Sequence, residues 1–385
     1  MSDGPETEPD QIEGAPHPRE TARLVGQEAA EAGFLEAYNS GRLHHAWLLT
    51  GPRGVGKATL AWRIARFLLA TPEADGGGLF GDAPPAPASL DIDPEHPVMR
   101  RSRAGAEPGL KLVRRGGSGS TEPDRQKNYE AGKFSNEIRI HEIRELIPFL
   151  SLTMADGGRR VVIVDAADEM NTQAANALLK MLEEPPAKTV LLLVAHQPSR
   201  LLPTIRSRCR ELRLSTLTEA QIAQALAQAG IAPEEDAGEA LGVLSGGSVG
   251  EAVRLVTLGG LQIYAELVAL LGAAPGMDRA RALRLSDAAA ARGAEARLDL
   301  LISLIELFLG RLARAGALGN PAGPEGAPGE AAAFARLAPD AAMARGWAAL
   351  AEELGPRMRH GRAVNLDPSA LILDTLLKIR DSARG

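Results

Sequence analysis

Short apolar runs alternate with amphipathic helical patterns along the first half of the chain. Patterns of buried strands occur at 45–50, 161–164 and 190–195. Apolar residues at helical spacing predict helices at 58–70 and 172–184, and two prolines end the second of them. Such alternation is typical of a mainly parallel sheet covered by helices on both faces. The first half is therefore predicted to be an α/β module.

After residue 214 the strand patterns disappear and helical patterns predominate. Helices are predicted at 218–229 and 234–244, and the pattern from 261 onward is helical apart from a Gly/Pro-rich loop at 319–329. The sequence thus predicts a small helical lid and an all-helical C-terminal domain behind the α/β module. The predicted boundaries are a disordered acidic tail at 1–20, the α/β module at 21–215 with an irregular insertion at about 71–130, the lid at 216–260 and the C-terminal domain at 261–385.

Composition and charge narrow the possible functions. The net charge of -6 argues against a dedicated nucleic-acid-binding domain with a basic face. The single cysteine, Cys209, excludes an internal disulfide and a thiolate zinc site. The N-terminus is acidic and contains proline, unlike a signal peptide, and the most apolar stretch, 300–309, is too short to span a membrane. We therefore expect a cytoplasmic protein without a membrane partner.

A glycine-rich segment between the first strand and its helix carries the clearest chemical motif. Gly51, Gly54 and Gly56 precede Lys57 at the spacing of a phosphate-binding loop. Small residues let backbone N–H groups surround phosphate oxygens, and the N-terminus of the following helix favours negative charge. Lys57 would reach the β- and γ-phosphates, so the motif predicts a nucleotide site.

The groups that complete such a site depart from the motif. The residue after the lysine should carry a hydroxyl that binds magnesium, and it is Ala58. Thr59 lies about 100° further round the helix and is poorly placed to substitute. Asp165 ends the strand at 161–164, where it would face the metal, but Ala166 follows it instead of a carboxylate that could orient water. Nucleotide binding is therefore left open, and tight Mg-ATP binding is disfavoured.

Four motifs in order resemble the bacterial clamp-loader subunits of the AAA+ family. They lie at 24–27, 51–57, 176–186 and 207–209. The run Asn-Ala-Leu-Leu-Lys-Met-Leu-Glu-Glu-Pro-Pro at 176–186 is the most specific of them, and the resemblance is strong over 22–260. It implies an AAA+ P-loop module, a helical lid and a C-terminal collar that joins five subunits.

The resemblance also shows what this chain lacks. Motor subunits of the family have Ser or Thr at position 58, Glu at 166, Arg at 250 and four zinc-binding cysteines after the phosphate loop. Here these positions hold Ala58, Ala166 and Gly250, and no cysteine lies in the insertion, so no zinc is expected. Arg208 of the motif at 207–209 is retained, and the family's arginine reaches the ATP of the neighbouring subunit. Without the resemblance, the arginines at 206, 208 and 210 would indicate only a solvated basic loop.

The function implied is a non-hydrolysing subunit that completes a neighbour's ATP site. Its partners would be the other clamp-loader subunits, tau/gamma and delta, and through the complex the sliding clamp and primed DNA. One alternative is an ATP-hydrolysing motor subunit of the tau/gamma kind, which would need the four absent features. Another is a stand-alone nucleic-acid remodeller such as a branch-migration motor, which would need an intact hydrolytic site and a basic domain.

Overall fold

The chain is described by a computed structural model that covers residues 8–21, 23–71, 86–151, 158–234, 236–291, 293–319 and 323–384. The chain divides into two compact units between Leu217 and Thr218. This division lies close to the predicted end of the α/β module. The predicted lid and C-terminal domain fall within the second unit, and a lid separate from a collar stays a prediction.

A five-stranded parallel sheet forms the centre of the described part of the first unit. Its strands are β1 (Ala46–Thr50), β2 (Leu110–Val113), β3 (Arg160–Asp165), β4 (Thr189–Val194) and β5 (Arg210–Arg213). The spatial order is β2-β3-β4-β1-β5, and every neighbouring pair runs parallel. All carboxyl ends therefore meet at one edge of the sheet, which is where Asp165 and the phosphate loop lie.

Helices cover both faces of this sheet, which confirms the predicted α/β class. They are α1 (Glu28–Asn39), α2 (Lys57–Ala70), α3 (Pro97–Arg103), α4 (Glu122–Glu130), α5 (Ile140–Arg144), α6 (Leu146–Ser151), α7 (Thr172–Glu183) and α8 (Pro203–Arg206). On one face Trp47 of β1 packs against Phe34 of α1, with ring centroids 5.0 Å apart. On the other face Leu48 and Val162 join Leu178 of α7 in a continuous apolar core. Both faces are covered, so the central strands β1, β3 and β4 are buried along their whole length.

The two edge strands were not predicted from the sequence. β2 lies, together with α3 and α4, inside the segment predicted to be an irregular insertion with short ordered pieces; that one of these pieces is a strand of the central sheet was not predicted. The strand has four residues, and only Val113 of them is buried. β5 has three exposed charged residues and one buried leucine, Leu212. Edge strands need no continuous apolar run, which explains the weak signal. The punctuating residues at 76–78 lie outside the described residues.

Residues 8–20 are ordered against the first unit, which corrects the predicted disordered tail over that range. His17 is only 2% exposed. Asp10 accepts a hydrogen bond from Arg114 at 2.6 Å, and Arg19 pairs with Glu8. The acidic composition suggested a solvated chain, but Glu8 and Asp10 pair with arginines, one of which is about a hundred residues away.

The sequence pattern at 140–150 predicts a helix, and Pro148 predicts a bend or break in it. The break lies earlier, at Glu145 between α5 and α6. Pro148 is the third residue of α6. Proline is tolerated in the first turn of a helix because the N–H groups there have no partner within the helix.

The described part of the second unit is helical. Its helices are α9 (Glu219–Gln228), α10 (Gly238–Ser245), α11 (Val249–Thr257), α12 (Gly260–Gly272), α13 (Arg279–Ala289), α14 (Glu295–Leu318), α15 (Glu330–Leu337), α16 (Ala341–Ala363) and α17 (Pro368–Ser382). The long helices α14 and α16 pack together, with Phe308 and Trp347 buried. Among the described helices, no single one is long and apolar enough to cross a membrane; α11 and α12 pass that test only as a pair, with an 81° bend between them.

Candidate nucleotide site and arginine loop

The phosphate loop has a backbone that only glycine accepts readily. Gly51, Gly54 and Gly56 have φ angles of 137°, 76° and 100°, in the left-handed region. A Cβ at Gly51 would lie 2.4 Å from the carbonyl oxygen of Leu214, and a Cβ at Gly56 would lie 2.5 Å from Cδ1 of Leu24. The loop is therefore held in shape by close packing, and it leads directly into the N-terminus of α2. This cradle fits a phosphate group.

Lys57 is the first residue of α2, and its side chain is folded back onto its own loop. Its Nζ donates to the carbonyl oxygen of Gly51 at 2.7 Å and also to that of Pro52. Burial lowers the pKa of Lys57 to about 8, although Asp165 and Asp168 act in the opposite direction. A phosphate at the loop would therefore have to draw the ammonium group away from two carbonyl oxygens.

Asp165 ends β3 beside this lysine, and its environment favours the neutral acid. Burial is the main reason that its pKa is raised to about 8, and the charges of Asp10 and Glu169 act in the same direction. The next residue is Ala166, which offers no second carboxylate. The site thus holds one carboxyl group that resists ionisation near neutral pH, an unfavourable state for holding magnesium.

Asp168 is engaged in a structural contact between neighbouring strands. Its two carboxylate oxygens accept hydrogen bonds from the backbone N–H groups of His196 and Gln197, each at 2.9 Å. These residues follow β4, so Asp168 ties the end of β4 to the segment after β3. It does not stand in for the carboxylate missing at Ala166.

His196 is a site residue that the sequence reasoning missed. It follows β4 at the same edge of the sheet, and its Nδ1 atom is buried without a hydrogen-bond partner among the described residues. Burial lowers its pKa to about 4, and the charges of Lys57 and Arg53 add to that effect. The imidazole is therefore neutral and can exchange a hydrogen bond with a polar ligand. Its place directly after a buried strand next to β3 was the signal available in the sequence.

Thr59, a candidate but vestigial nucleotide contact, and Gly250, where the resembling family has an arginine, keep their expected roles as predictions. Thr59 lies on α2 two residues beyond Lys57, after Ala58 has taken the position of the magnesium ligand. Gly250 is in the first turn of α11 in the second unit, and it has no side chain to offer a phosphate.

Arg208 is built into a different part of the first unit. Its side chain is 37% exposed; it pairs with Glu183 at 3.0 Å and donates to the carbonyl oxygen of Thr204 at 3.1 Å. Glu183 is the last residue of α7, within the specific run at 176–186. The loop site is built on β1, α2, β3 and β4, whereas Arg208 is held by α7 and α8. The pairing with Glu183 was not predicted.

Cys209 is inert as a nucleophile. Burial raises the pKa of its thiol to about 12, so the thiol is neutral at physiological pH. It lines a cleft of about 410 Å³ together with Leu48, Pro198, Pro203, Arg206, Ser207 and Glu211. The cysteine thus serves as a small apolar side chain within the segment at 206–210, here called the arginine loop.

The raised pKa of Asp165 gives a testable pH dependence. A carboxyl group whose folded-state pKa lies above its ordinary 3.8 stabilises the fold most at low pH, and this contribution is lost as the pH rises towards about 8. We expect the stability of Asp165→Asn relative to wild type to rise by roughly 3–4 kcal/mol between pH 5 and pH 8. Denaturant unfolding at the two pH values measures this difference. Asp93→Asn, at an exposed position, is the control, and an equal difference at both pH values would contradict the assignment.

Comparison with known proteins identifies the family. The family described as "DNA polymerase III, delta subunit" matches residues 26–218, about half of the chain. The DNA polymerase III subunit delta' of Pseudomonas aeruginosa is 40% identical over 213 residues, which are 55% of each chain. The chain belongs to the DNA polymerase III delta-prime family. It thus covers about half the length of this relative.

Two further proteins match this chain with lower sequence identity. The DNA polymerase III subunit gamma/tau of Mycobacterium tuberculosis is 32% identical over 197 residues, which are 50% of this chain and 28% of that one. A gamma subunit-related protein of Thermotoga maritima superposes over 91% of this chain and 100% of its own, with 17% identity and a TM-score of 0.43.

The matched range follows the boundary of the first unit. It contains the phosphate loop, Asp165 and Arg208, and it ends at Thr218, where the second unit begins. The family assignment of this delta-prime protein therefore rests on the α/β unit, and the helical unit lies beyond it.

Proposed function

We propose that this delta-prime family member is a clamp-loader subunit that does not hydrolyse ATP itself. It supplies Arg208 to the ATP site of a neighbouring subunit and helps to load the sliding clamp on primed DNA. Its partners are the tau/gamma and delta subunits, which it joins through helices of its second unit. The observation that carries the proposal is the separation of a presented arginine from a loop site that lacks hydrolytic groups.

The loop site supports the first half of the proposal. If ATP binds, the glycine cradle and Lys57 are the groups that would hold its phosphates. Phosphoryl transfer depends on a placed metal and a positioned water. Ala58 cannot bind the metal, Ala166 cannot orient the water, and Asp168 is occupied by backbone N–H groups.

The arginine loop supports the second half. The guanidinium group is planar, permanently charged and suited to two parallel hydrogen bonds with phosphate oxygens. Glu183 holds one side of the Arg208 guanidinium group by an ion pair. The guanidinium group is partly exposed, so it is accessible from outside the unit. Such an exposed ion pair is weak, so a phosphate can replace the carboxylate as partner.

A motor role of the tau/gamma kind has less support. The chain is similar to a gamma/tau subunit over half its length, but that similarity does not restore the groups missing at positions 58 and 166. A stand-alone branch-migration motor would require the same groups.

The isolated chain should show no ATP turnover above background. Steady-state phosphate release with magnesium and ATP measures this, with and without primed DNA. Lys57→Ala is the matched variant, and it should give the same background rate. Turnover by the wild-type chain that Lys57→Ala removes would overturn the non-hydrolysing role.

A further inference from the structure

The residues that follow α7 cannot supply hydrogen-bond donors to its last turn. In a continuing helix the carbonyl oxygen of each residue accepts from the N–H group four positions later. For Met181 and Leu182 those positions hold Pro185 and Pro186, and proline has no N–H group. A backbone carbonyl that is buried without a partner costs free energy, so a donor is needed from elsewhere in the fold.

His45, the residue before β1, supplies the donor for Leu182. Its Nε2 atom lies 3.1 Å from the carbonyl oxygen of Leu182. A carbonyl oxygen can only accept, so the imidazole donates through Nε2. The two residues are 137 positions apart in the chain, and their hydrogen bond ties the end of α7 to the start of β1.

The imidazole of His45 is itself held in place. The backbone carbonyl oxygen of His45 accepts from the N–H of Leu191 in β4 at 2.8 Å. The ring of His44 stacks on it, with centroids 4.5 Å apart and 26° between the planes. The carbonyl oxygen of His44 accepts in turn from Nε1 of the buried Trp47 at 2.9 Å. His45 is therefore a fixed donor at the edge of the sheet.

The carbonyl that His45 holds is one residue away from the carboxylate that holds Arg208. Glu183 follows Leu182 as the last residue of α7, and its Oε1 atom pairs with Arg208 at 3.0 Å. The side chain of Leu182 is buried, whereas that of Glu183 is 49% exposed. The position of the Glu183 carboxylate thus depends on the backbone of the last turn, because its own side chain is packed on one side at most.

We propose that His45 is a positioning residue for Arg208. Its hydrogen bond to Leu182 keeps the last turn of α7 intact and keeps Glu183 where it pairs with the guanidinium group. Without this donor the last turn frays, and Arg208 spends less time in its presented orientation. This role rests on the proposed function, in which Arg208 is the group that acts at the neighbouring ATP.

The first test measures ATP hydrolysis by the reconstituted complex with clamp and primed DNA. His45→Phe keeps an aromatic ring but removes the donor, and we expect a loss of about twofold, smaller than the loss for Arg208→Ala. His45→Gln retains an N–H donor and should restore the rate to near wild type. His44→Phe is the control, because it keeps a stacked ring and leaves the bond to Leu182 intact.

A variant that combines His45→Phe with Arg208→Ala separates positioning from a general loss of stability. A positioning residue acts only through the residue that it positions, so the double variant should be no slower than Arg208→Ala alone. A wild-type rate for His45→Phe beside a slow Arg208→Ala complex, or a further loss in the double variant, would overturn the positioning role alone. A wild-type rate for Arg208→Ala would overturn the proposed function and the positioning role together.

The second test uses the isolated full-length chain and involves no ATP. Hydrogen–deuterium exchange of His45→Phe should be faster than wild type at 181–184, where the N–H of Glu184 bonds to the carbonyl oxygen of Lys180. It should also be faster at 206–209, and unchanged in β3. Unchanged exchange at 206–209, or faster exchange throughout the chain, would overturn the positioning role whatever the complex does with ATP.

Discussion

A clamp-loader complex reconstituted with Arg208→Ala should hydrolyse ATP several-fold more slowly than wild type in the presence of clamp and primed DNA. Arginine fingers contribute on the order of 10³ to 10⁵ in rate at the site they serve. The loss in a bulk assay is smaller, because only one of several ATP sites would lose its arginine. Clamp loading should slow in parallel, while assembly stays intact, because Arg208 is partly exposed and its ion pair is weak.

Two further variants separate a phosphate-binding arginine from a general basic surface. Arg206→Ala removes an exposed arginine from the same loop and should leave the rate near wild type. Glu183→Gln removes the anchoring charge but keeps Arg208, so we expect a smaller loss than for Arg208→Ala. Equal losses for Arg206→Ala and Arg208→Ala would show that only the charge of the loop matters.

Replacing Glu330 by alanine should destabilise the second unit by about 3–5 kcal/mol. Glu330 is 1% exposed and accepts hydrogen bonds from Arg311 at 2.7 and 2.9 Å. It also accepts from the hydroxyl of Tyr264 and from the backbone N–H of Gly326. The alanine variant leaves the guanidinium group without its counter-charge and the loop before α15 without its anchor. Denaturant unfolding of the full-length chain, followed by helical circular dichroism, measures the loss.

A surface ion pair of the same unit provides the control. Glu353 pairs with Lys378 at 3.3 Å, and its side chain is 60% exposed. Glu353→Ala should therefore cost less than about 1 kcal/mol. A comparable loss of stability in the two variants would mean that the buried ion pair of Glu330 contributes no more than an exposed one.

The sequence predicted the central strands and their helices because each carries a complete local pattern. β1, β3 and β4 are continuous apolar runs, and α2 and α7 have apolar residues at helical spacing. β2 and β5 have no such run, because each edge strand pairs with only one neighbour and buries only one of its four residues. The order at 8–20 depends on Arg114 and Arg115, and contacts so distant in sequence leave no local pattern.

The candidate site was predictable in its parts but not in its physical state. Loop spacing identified the cradle, and the end of β3 identified Asp165. The raised pKa of Asp165 follows from burial, and Lys57 turns inward through hydrogen bonds to the carbonyl oxygens of Gly51 and Pro52; the sequence displays neither. The anchoring of Arg208 by Glu183 joins two motifs that are separate along the chain.

The most direct measurement compares Lys57→Ala and Arg208→Ala in the same reconstituted complex. ATP hydrolysis stimulated by clamp and primed DNA is measured for each at equal concentrations of assembled complex. If the chain acts through its neighbour's site, the Arg208→Ala complex is slowed several-fold, and the Lys57→Ala complex hydrolyses at the wild-type rate. A wild-type rate for Arg208→Ala together with a slowed Lys57→Ala complex would contradict the account.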